Sequence, residues 1–467
     1  SGWAPHVRHQ STSVNLHAIL GGLKAMPGRI VFDGRLGEGA ADIAAEFGAP
    51  AQTTAQHRPT PDSPLLPLAV LEAARSSLGP IQHLDLSVYE VPQAHFELGA
   101  EVGPQLALFL RKKLEAMTGA ELAEEIRHAR KAQAEIQRRL GSSQIHGAIR
   151  HALGEYFRSL EAWAAGACLA GFARSVLGQL RVDGLEVGAG DLAFLLQNEP
   201  NGCQTGVLRE SPSSVILWHT EEDREYPGLS RFDKLRLASF RVDGPGGPRT
   251  ITAFVYPDLL PGPAFGWSGS SYAHAVDAFY LRPPGRNSGV AANAVTWVCL
   301  YLGGAFATAD IARALAPFRD GYALSSISRT PAGLRGDLTE FIADTVLSTS
   351  LPETPGGSLF KVNTLSNQAV LAAPGLEDLR PARRRVLERR VVRTARALRA
   401  LDPSEDRITG FSRLLSSRVG GEFAYANPSV KAHFLCRLTE KQAQIWVGPG
   451  PAIREDHFFA GAWSPDG

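Results

Sequence analysis

Two neighbouring β-type runs constrain this chain most, because a thiol opens one and acids close the other. The first is Cys203-Gln-Thr-Gly-Val-Leu and the second is Val215-Ile-Leu-Trp-His-Thr-Glu-Glu222. Arg209-Glu-Ser-Pro-Ser-Ser214 stands between them, and its Ser-Pro-Ser cluster is turn chemistry. A hairpin folded about Pro212 sets Cys203 opposite Glu221, where cross-strand Cβ atoms lie about 4.5–5.5 Å apart. A slip of one residue would bring Glu222 or Thr220 there instead. A cysteine in an apolar strand is, by itself, most often inert packing. Glu221-Glu222-Asp223 by itself reads as a solvated strand end. Held together just after Gly202, the thiol and the carboxylate form a candidate nucleophile site. His219 lies two positions from Glu221 and therefore on the same strand face.

Composition limits the partners. Of 467 residues 44% are hydrophobic, which fits a globular chain long enough for one large core or two to three domains. Lys plus Arg is 48 against Asp plus Glu 47, so charge gives no case for nucleic acid or an anionic membrane. No apolar run reaches the roughly 18 residues that a membrane helix needs, and the opening Ser1-Gly-Trp-Ala-Pro-His has no apolar signal core. The four cysteines, at 168, 203, 299 and 436, are scattered without a Cys-x-x-Cys. That spacing speaks against a metal site and a disulfide scaffold, and for a reducing, cytoplasmic setting.

Along the chain, residues 1–80 are weakly patterned and read as an N-terminal accessory segment, with Ala49 to Pro67 a loop or linker. Ile81 to Val91 reads as a strand. Helical periodicity follows over Glu97 to Met117, Ala120 to Leu140 and His146 to Leu180. Asp191 caps a short helix, Leu192 to Gln197, that leads to Gly202. Beyond the hairpin, strands are expected at Lys234 to Val242, Thr250 to Tyr256, Tyr272 to Tyr280, Phe341 to Val346, Gly357 to Val362, Phe434 to Leu438 and Gln444 to Val447. Helices are expected at Val290 to Leu302 and Ala309 to Pro317. Cys168, Cys299 and Cys436 read as core, and His274 as a strand histidine satisfying a hydrogen bond. The Arg-rich run from Arg383 has Val386, Leu387, Val391, Ala395, Leu398 and Leu401 at helical spacing and no interleaved aromatics. It reads as an amphipathic surface helix rather than a nucleic-acid site. Strands grouped after a helical block give an α+β layered fold.

Asn201-Gly-Cys203-Gln-Thr, followed by an acid in His219-Thr-Glu-Glu-Asp, resembles the acyl-coenzyme A:isopenicillin N acyltransferase-like family of N-terminal nucleophile (Ntn) hydrolases. Further segments resemble it in order: Leu86-Ser-Val-Tyr-Glu with Glu97-Leu-Gly99 and Gly103, Ser271-Tyr-Ala-His-Ala-Val-Asp277, Gly289-Val-Ala-Ala-Asn, Phe360-Lys-Val-Asn363-Thr, and Gln444-Ile-Trp-Val-Gly-Pro-Gly-Pro451. The likeness runs from about residue 81 to the end. It departs at Asp277, where relatives have Asn, at Lys361 and Thr364, where they have His, and at Glu221, where they have Asp.

The resemblance implies a four-layer αββα sandwich with an extra N-terminal segment. It divides the chain into 1–80, a helical part 81–202, and a nucleophile-bearing part 203–467. It further implies self-cleavage at Gly202–Cys203, with Cys203 as nucleophile and its freed α-amino group as base. Glu221 would hold that ammonium, and Asn363, or a backbone N–H near residues 269–271, would serve the oxyanion. His219 is the substitute base in an uncut chain. Asp277, Ser270 and Trp267 are assigned to substrate binding. No cofactor is implied. A small-molecule amide or amine is the expected substrate, with acyl-CoA or an acyl carrier-protein thioester as a co-substrate. Two other readings stay open: an uncut Cys-His-acid acyltransferase, and a non-catalytic Ntn-like binding protein.

Overall fold

A computed structural model describes residues 65–115, 119–141, 143, 145–169, 181–182, 185–186, 203–223, 232, 234–245, 247–279, 290–318, 320–363, 381–419 and 425–463. Its first part is mainly helical. Helix α1 (Leu68–Leu78) and strand β1 (Ile81–Asp85) lead into the long helices α2 (Val91–Glu115), α3 (Gly119–Leu140) and α4 (Gly147–Leu169). A two-residue ladder, β2 (Arg181–Val182) with β3 (Leu185–Glu186), ends this part. Helix α2 begins earlier than its periodicity suggested, taking Val91 from the expected strand. Pro92 explains the shift, because the first helical turn tolerates a residue without an N–H.

Helices α2 and α4 cross through two glycines. A Cβ on Gly99 would stand 2.0 Å from the Trp163 carbonyl oxygen, and one on Gly166 would stand 2.0 Å from that of Phe96. Only backbone fits at this crossing, so the Glu-Leu-Gly99 motif is a packing requirement.

From Cys203 strands dominate. β4 (Cys203–Ser211) and β5 (Ser214–Glu222) form the hairpin. Next come β6 (Leu235–Gly244), β7 (Gly247–Phe254), β8 (Phe265–Ser268) and β9 (Tyr272–Ala278), then helices α5 (Asn293–Leu302) and α6 (Thr308–Leu315). A meander of β10 (Gly321–Thr330), β11 (Gly333–Ile342) and β12 (Thr345–Ser350) precedes β13 (Ser358–Lys361). Helices α7 (Pro381–Arg399) and α8 (Arg407–Leu415), strands β14 (Val430–Thr439) and β15 (Ala443–Pro449), the single turn α9 (Glu455–Phe458) and β16 (Gly461–Trp463) complete the described chain. The expected strand Phe341 to Val346 instead straddles the turn between β11 and β12, where Ala343 takes a φ of 50°. The meander is rich in Ser, Thr, Gly and Arg and lacks a clear apolar alternation, so the sequence hid it.

The fold is α+β with two open sheets, ordered β1-β6-β7-β8-β9-β10-β11-β12 and β13-β4-β5-β14-β15-β16. Period-two alternation assigns their faces. Phe240, Ile251, Val276 and Leu324 turn one face of the larger sheet toward Leu98, Val102, Trp163 and Trp297 of the helices. Its other face presents Leu237, Phe254, Phe265, Ala275 and Ile327 to Val207, Val215, Leu217 and Phe434 of the smaller sheet. The far face of the smaller sheet packs Ile216, Trp218, Phe360 and Leu435 on Val391, Ala395, Phe411 and Leu415. Covered on both faces, β5 is buried along its whole length. Among the described residues no helix is long and apolar enough to cross a membrane.

Residues 65–80 dock on the C-terminal part, with Leu66 N donating to Arg418 O at 3.4 Å and Leu78 entering the inter-sheet core. Residues 1–64, the expected helix Leu192 to Gln197 with its cap Asp191, Gly202 and the Cys168 side chain lie outside the described residues.

Candidate active site

The hairpin register fixes the centre of the site. Cys203 pairs with Glu221 and Thr205 with His219, the expected register, reached through a Pro212–Ser213 turn and a register shift between Arg209 and Ser211. Alternation carries Cys203, His219 and Glu221 to the inter-sheet face, beyond the apolar stretch of Val207, Val215 and Leu217. The inter-sheet layer therefore changes from hydrocarbon to polar groups along the same strands. Cys203 Sγ lies 3.6 and 3.7 Å from the two Glu221 carboxyl oxygens. His219 Nε2 lies 2.9 Å from Glu221 Oε2. Tyr256 Oη donates to the other oxygen, Oε1. All four side chains are buried.

Asn363 connects the two sheets. It follows β13 in the left-handed region, at φ 65°, a conformation that asparagine tolerates better than most residues. Its Nδ2 donates to Asp277 Oδ1 at 2.6 Å and to the Ala278 carbonyl at 2.9 Å, and its backbone N–H donates to Asp277 Oδ2. Its Oδ1 accepts from Arg390 Nη1 at 3.2 Å and from the backbone N–H of Cys203 at 3.4 Å. Flipping the amide would set donors against donors, so the network fixes its orientation. Both amide hydrogens are thus engaged, and Asn363 has none left for an oxyanion. It positions the Cys203 nitrogen instead.

A further layer lies on the helix side of the smaller sheet. Arg390 of α7 pairs with Glu222, which also accepts from Gln204 Nε2 at 3.3 Å. Gln204 Oε1 accepts from Thr394 Oγ1 at 3.3 Å, and Thr394 accepts from Tyr425 Oη at 2.9 Å. Arg390 corrects the reading of its helix: this arginine is buried and belongs to the site. Positions 390 and 394 adjoin the apolar stripe 391, 395 and 398, so a single buried face carries a polar and an apolar edge. The stripe was visible in the sequence, but nothing singled out Arg390 from its neighbours. Tyr256 was missed as well, since a strand-end tyrosine carries no signal of its own.

Other expected residues lie elsewhere. Trp267 belongs to the inter-sheet core, with its ring stacked on Phe434 at 5.9 Å and 9°. Ser270 sits in the β8–β9 turn and accepts from Arg329 Nη1 at 3.5 Å. At about 3.3–3.4 Å per residue, the start of β9 is about 17 Å from Asp277. The structure therefore brings Cys203, His219, Glu221, Asp277 and Asn363 together and leaves Ser270 and Trp267 away from them. His274 is a strand histidine that makes its hydrogen bond through Nε2, 2.8 Å from the Gly262 carbonyl. Lys361 faces the inter-sheet layer and pairs with Glu340 at 3.0 Å.

Burial dominates the electrostatics. It raises the Cys203 thiol well above its usual range, and the charges of Glu221 and Asp277 push the same way. Burial also raises Asp277 well above the carboxylate range, against the pull of the Asn363 backbone hydrogen bond and Arg390. The His219 imidazole is pushed down to about 3 by burial and by the neighbouring His433 and His274. Burial lowers Lys361 well below the usual amine range. The resting site thus holds a protonated thiol and a neutral imidazole. Cys203, His219 and Glu221 offer sulfur, nitrogen and oxygen donor atoms within 4.8 Å of one another, the geometry of a metal-ligand set.

No protein-family model matches the chain, and no curated protein is significantly similar to it.

Proposed function

We propose that the chain is a cysteine-nucleophile amide hydrolase or N-acyltransferase. It works through an acyl-thioester on Cys203 after cutting itself at Gly202–Cys203. The pairing of Cys203 with Glu221, with the Cys203 nitrogen held by Asn363, carries this reading. It sets a proton acceptor beside the sulfur and an anchor at the atom that becomes the new N-terminus. Three cores stacked as helices, sheet, sheet, helices support the αββα Ntn arrangement.

In the uncut chain, the thiol proton passes to Glu221 as sulfur attacks the Gly202 carbonyl carbon. The C–N bond to Cys203 breaks as its nitrogen takes up a proton, and water releases residue 202 as a carboxylate. The freed α-amino group, with an ordinary pKa of about 7.7–8.0, then lies a few bonds from the sulfur. It supplies the base, and when protonated the positive charge, that lowers a thiol otherwise held up by burial and neighbouring acids. Asn363 Oδ1 anchors this amine, and Glu221 offers a charge-assisted partner to its ammonium form. Sulfur attacks the substrate amide, the amine departs with the proton, and water or a second amine resolves the thioester.

The order thiol, carboxyl, imidazole also bears on the uncut acyltransferase, which would use acyl-CoA or a carrier-protein thioester. Such an enzyme needs the imidazole between thiol and acid, whereas here Glu221 stands between the other two. Free, buried Cys299 and Cys436 support a reducing, cytoplasmic setting. The test is a denaturing gel with intact mass. The expected result is two pieces, 1–202 and 203–467, replaced by one full-length chain in Cys203→Ala. A wild-type chain that stays whole and still turns over a thioester in a Cys203-dependent way would favour the uncut enzyme. A whole chain that binds ligand without turnover would favour the non-catalytic protein.

A further inference from the structure

The side chains around the thiol are also metal donors, a use to which the proposed reaction does not put them. We propose that Cys203, His219 and Glu221 bind one Zn²⁺ ion, which blocks the thiol. The blocking rests on Cys203 being the nucleophile; the binding does not.

Three observations carry the assignment. The first is donor type. A thiol, an imidazole and a carboxylate are the ligand classes that zinc takes, whereas Ca²⁺ and Mg²⁺ take oxygen. The second is spacing. A tetrahedral zinc with bonds of about 2.0–2.3 Å has donor–donor edges of about 3.3–3.6 Å. Here Sγ to Oε2 is 3.6 Å, Nε2 to Oε2 is 2.9 Å, and all three donor atoms lie within 4.8 Å of one another, so seating an ion opens the Nε2–Oε2 edge by a few tenths of an ångström. The third is support. The ligands come from two strands locked in register, and Tyr256 Oη donates to Glu221 Oε1, the carboxyl oxygen left over when Oε2 takes the metal. Such outer partners hold metal ligands in place. The missing Cys-x-x-Cys spacing does not count against the site, because cross-strand pairing brings these donors together.

The step balances. Zn²⁺ takes the sulfur as thiolate, the S–H bond breaks, and the proton leaves to buffer. His219 binds through Nε2 with its hydrogen on Nδ1, and Glu221 binds as carboxylate. Two negative ligands cancel the ion's charge, so no net charge is buried. The fourth position takes water.

The test is a Co²⁺ titration of the chelator-treated full chain. The expected result is one equivalent bound, with a near-ultraviolet thiolate-to-cobalt charge-transfer band and the strong visible bands of four-coordinate cobalt. One equivalent of Zn²⁺ should displace it. Cys203→Ser should lose the charge-transfer band, Cys436→Ser should keep it, and Tyr256→Phe should weaken binding about tenfold. Native mass of the wild type should show one zinc bound, a readout that needs no variant to fold. A wild type with no charge-transfer band, a band that survives in Cys203→Ser, or a zinc-free wild type overturns the proposal. Denaturing mass of the same samples reads the break at 202/203 separately. A cut chain without the band sinks the metal alone, and a chain that stays whole after chelator treatment yet shows the band on adding Co²⁺ sinks self-cleavage alone.

Discussion

Arg390→Met tests whether the helix-side ion pair supports the site. The guanidinium pairs with Glu222 and donates to Asn363 Oδ1, and both residues of the pair are more than nine-tenths buried. Methionine keeps the aliphatic packing and removes the charge. Breaking a buried pair from one side costs about 3–5 kcal/mol, because the remaining charge is left in low dielectric. Gln204 still donates to Glu222, so the lower end, about 3 kcal/mol, is expected. In Arg390→Met with Glu222→Gln neither partner carries a charge, and the double variant should recover about 2 kcal/mol or more relative to the sum of the singles. Urea unfolding of the four proteins measures this cycle. Freed from its clamp, Asn363 holds the Cys203 nitrogen less firmly, so Arg390→Met should also slow the proposed break at Gly202–Cys203. A single-variant cost below about 1 kcal/mol, or strictly additive singles, would refute the reasoning.

Further expectations follow from burial and close contact. Burial pushes His219 and His433 down to about 3, and His95 and His274 down to about 4. Their folded values lie below the ordinary value of about 6.5, so their contribution to stability is fully present above about pH 6.5 and is lost as pH falls toward the folded values. At pH 5 each imidazole costs about 2 kcal/mol, or about 8 kcal/mol for the four. Urea midpoints that stay flat between pH 7.5 and 5 would contradict this. Gly99→Ala and Gly166→Ala each drive a Cβ to 2.0 Å from backbone oxygen, where no rotamer change helps, and should cost about 3 kcal/mol or more in thermal unfolding. Gly154→Ala meets nothing within 4 Å and should instead be neutral or stabilising by up to about 1 kcal/mol. Equal melting shifts at the three positions would show that the helix crossing is looser than described.

The legible parts of the chain were those set by local pattern. A proline-containing turn between two apolar runs was enough to show the hairpin, and helical spacing gave α3 and the body of α4. The hairpin's register stayed open to a one-residue slip, because the shift between Arg209 and Ser211 that sets Cys203 opposite Glu221 leaves no mark in the sequence. Contacts between distant segments were not legible. Asp277 and Asn363 were both candidates, yet that one accepts both amide donors of the other depends on two sheets meeting face to face. Arg390 lay inside a run whose net character is that of a solvated face; periodicity placed it beside Val391 but could not say which arginine turns inward. Trp267 shows the opposite failure. A tryptophan near a glycine-rich turn suggested a binding surface, and the inter-sheet aromatic stack claimed it.

Alternation along β5 explains why two adjacent glutamates do different work. Glu221 faces the inter-sheet layer and meets a thiol, an imidazole and a phenol; Glu222 faces the helices and meets a guanidinium. A slip of one residue would exchange the two faces, placing the arginine-paired acid beside the sulfur and the other acid beside the helix. The register of a single hairpin thus decides both which carboxylate stands beside Cys203 and which one anchors α7.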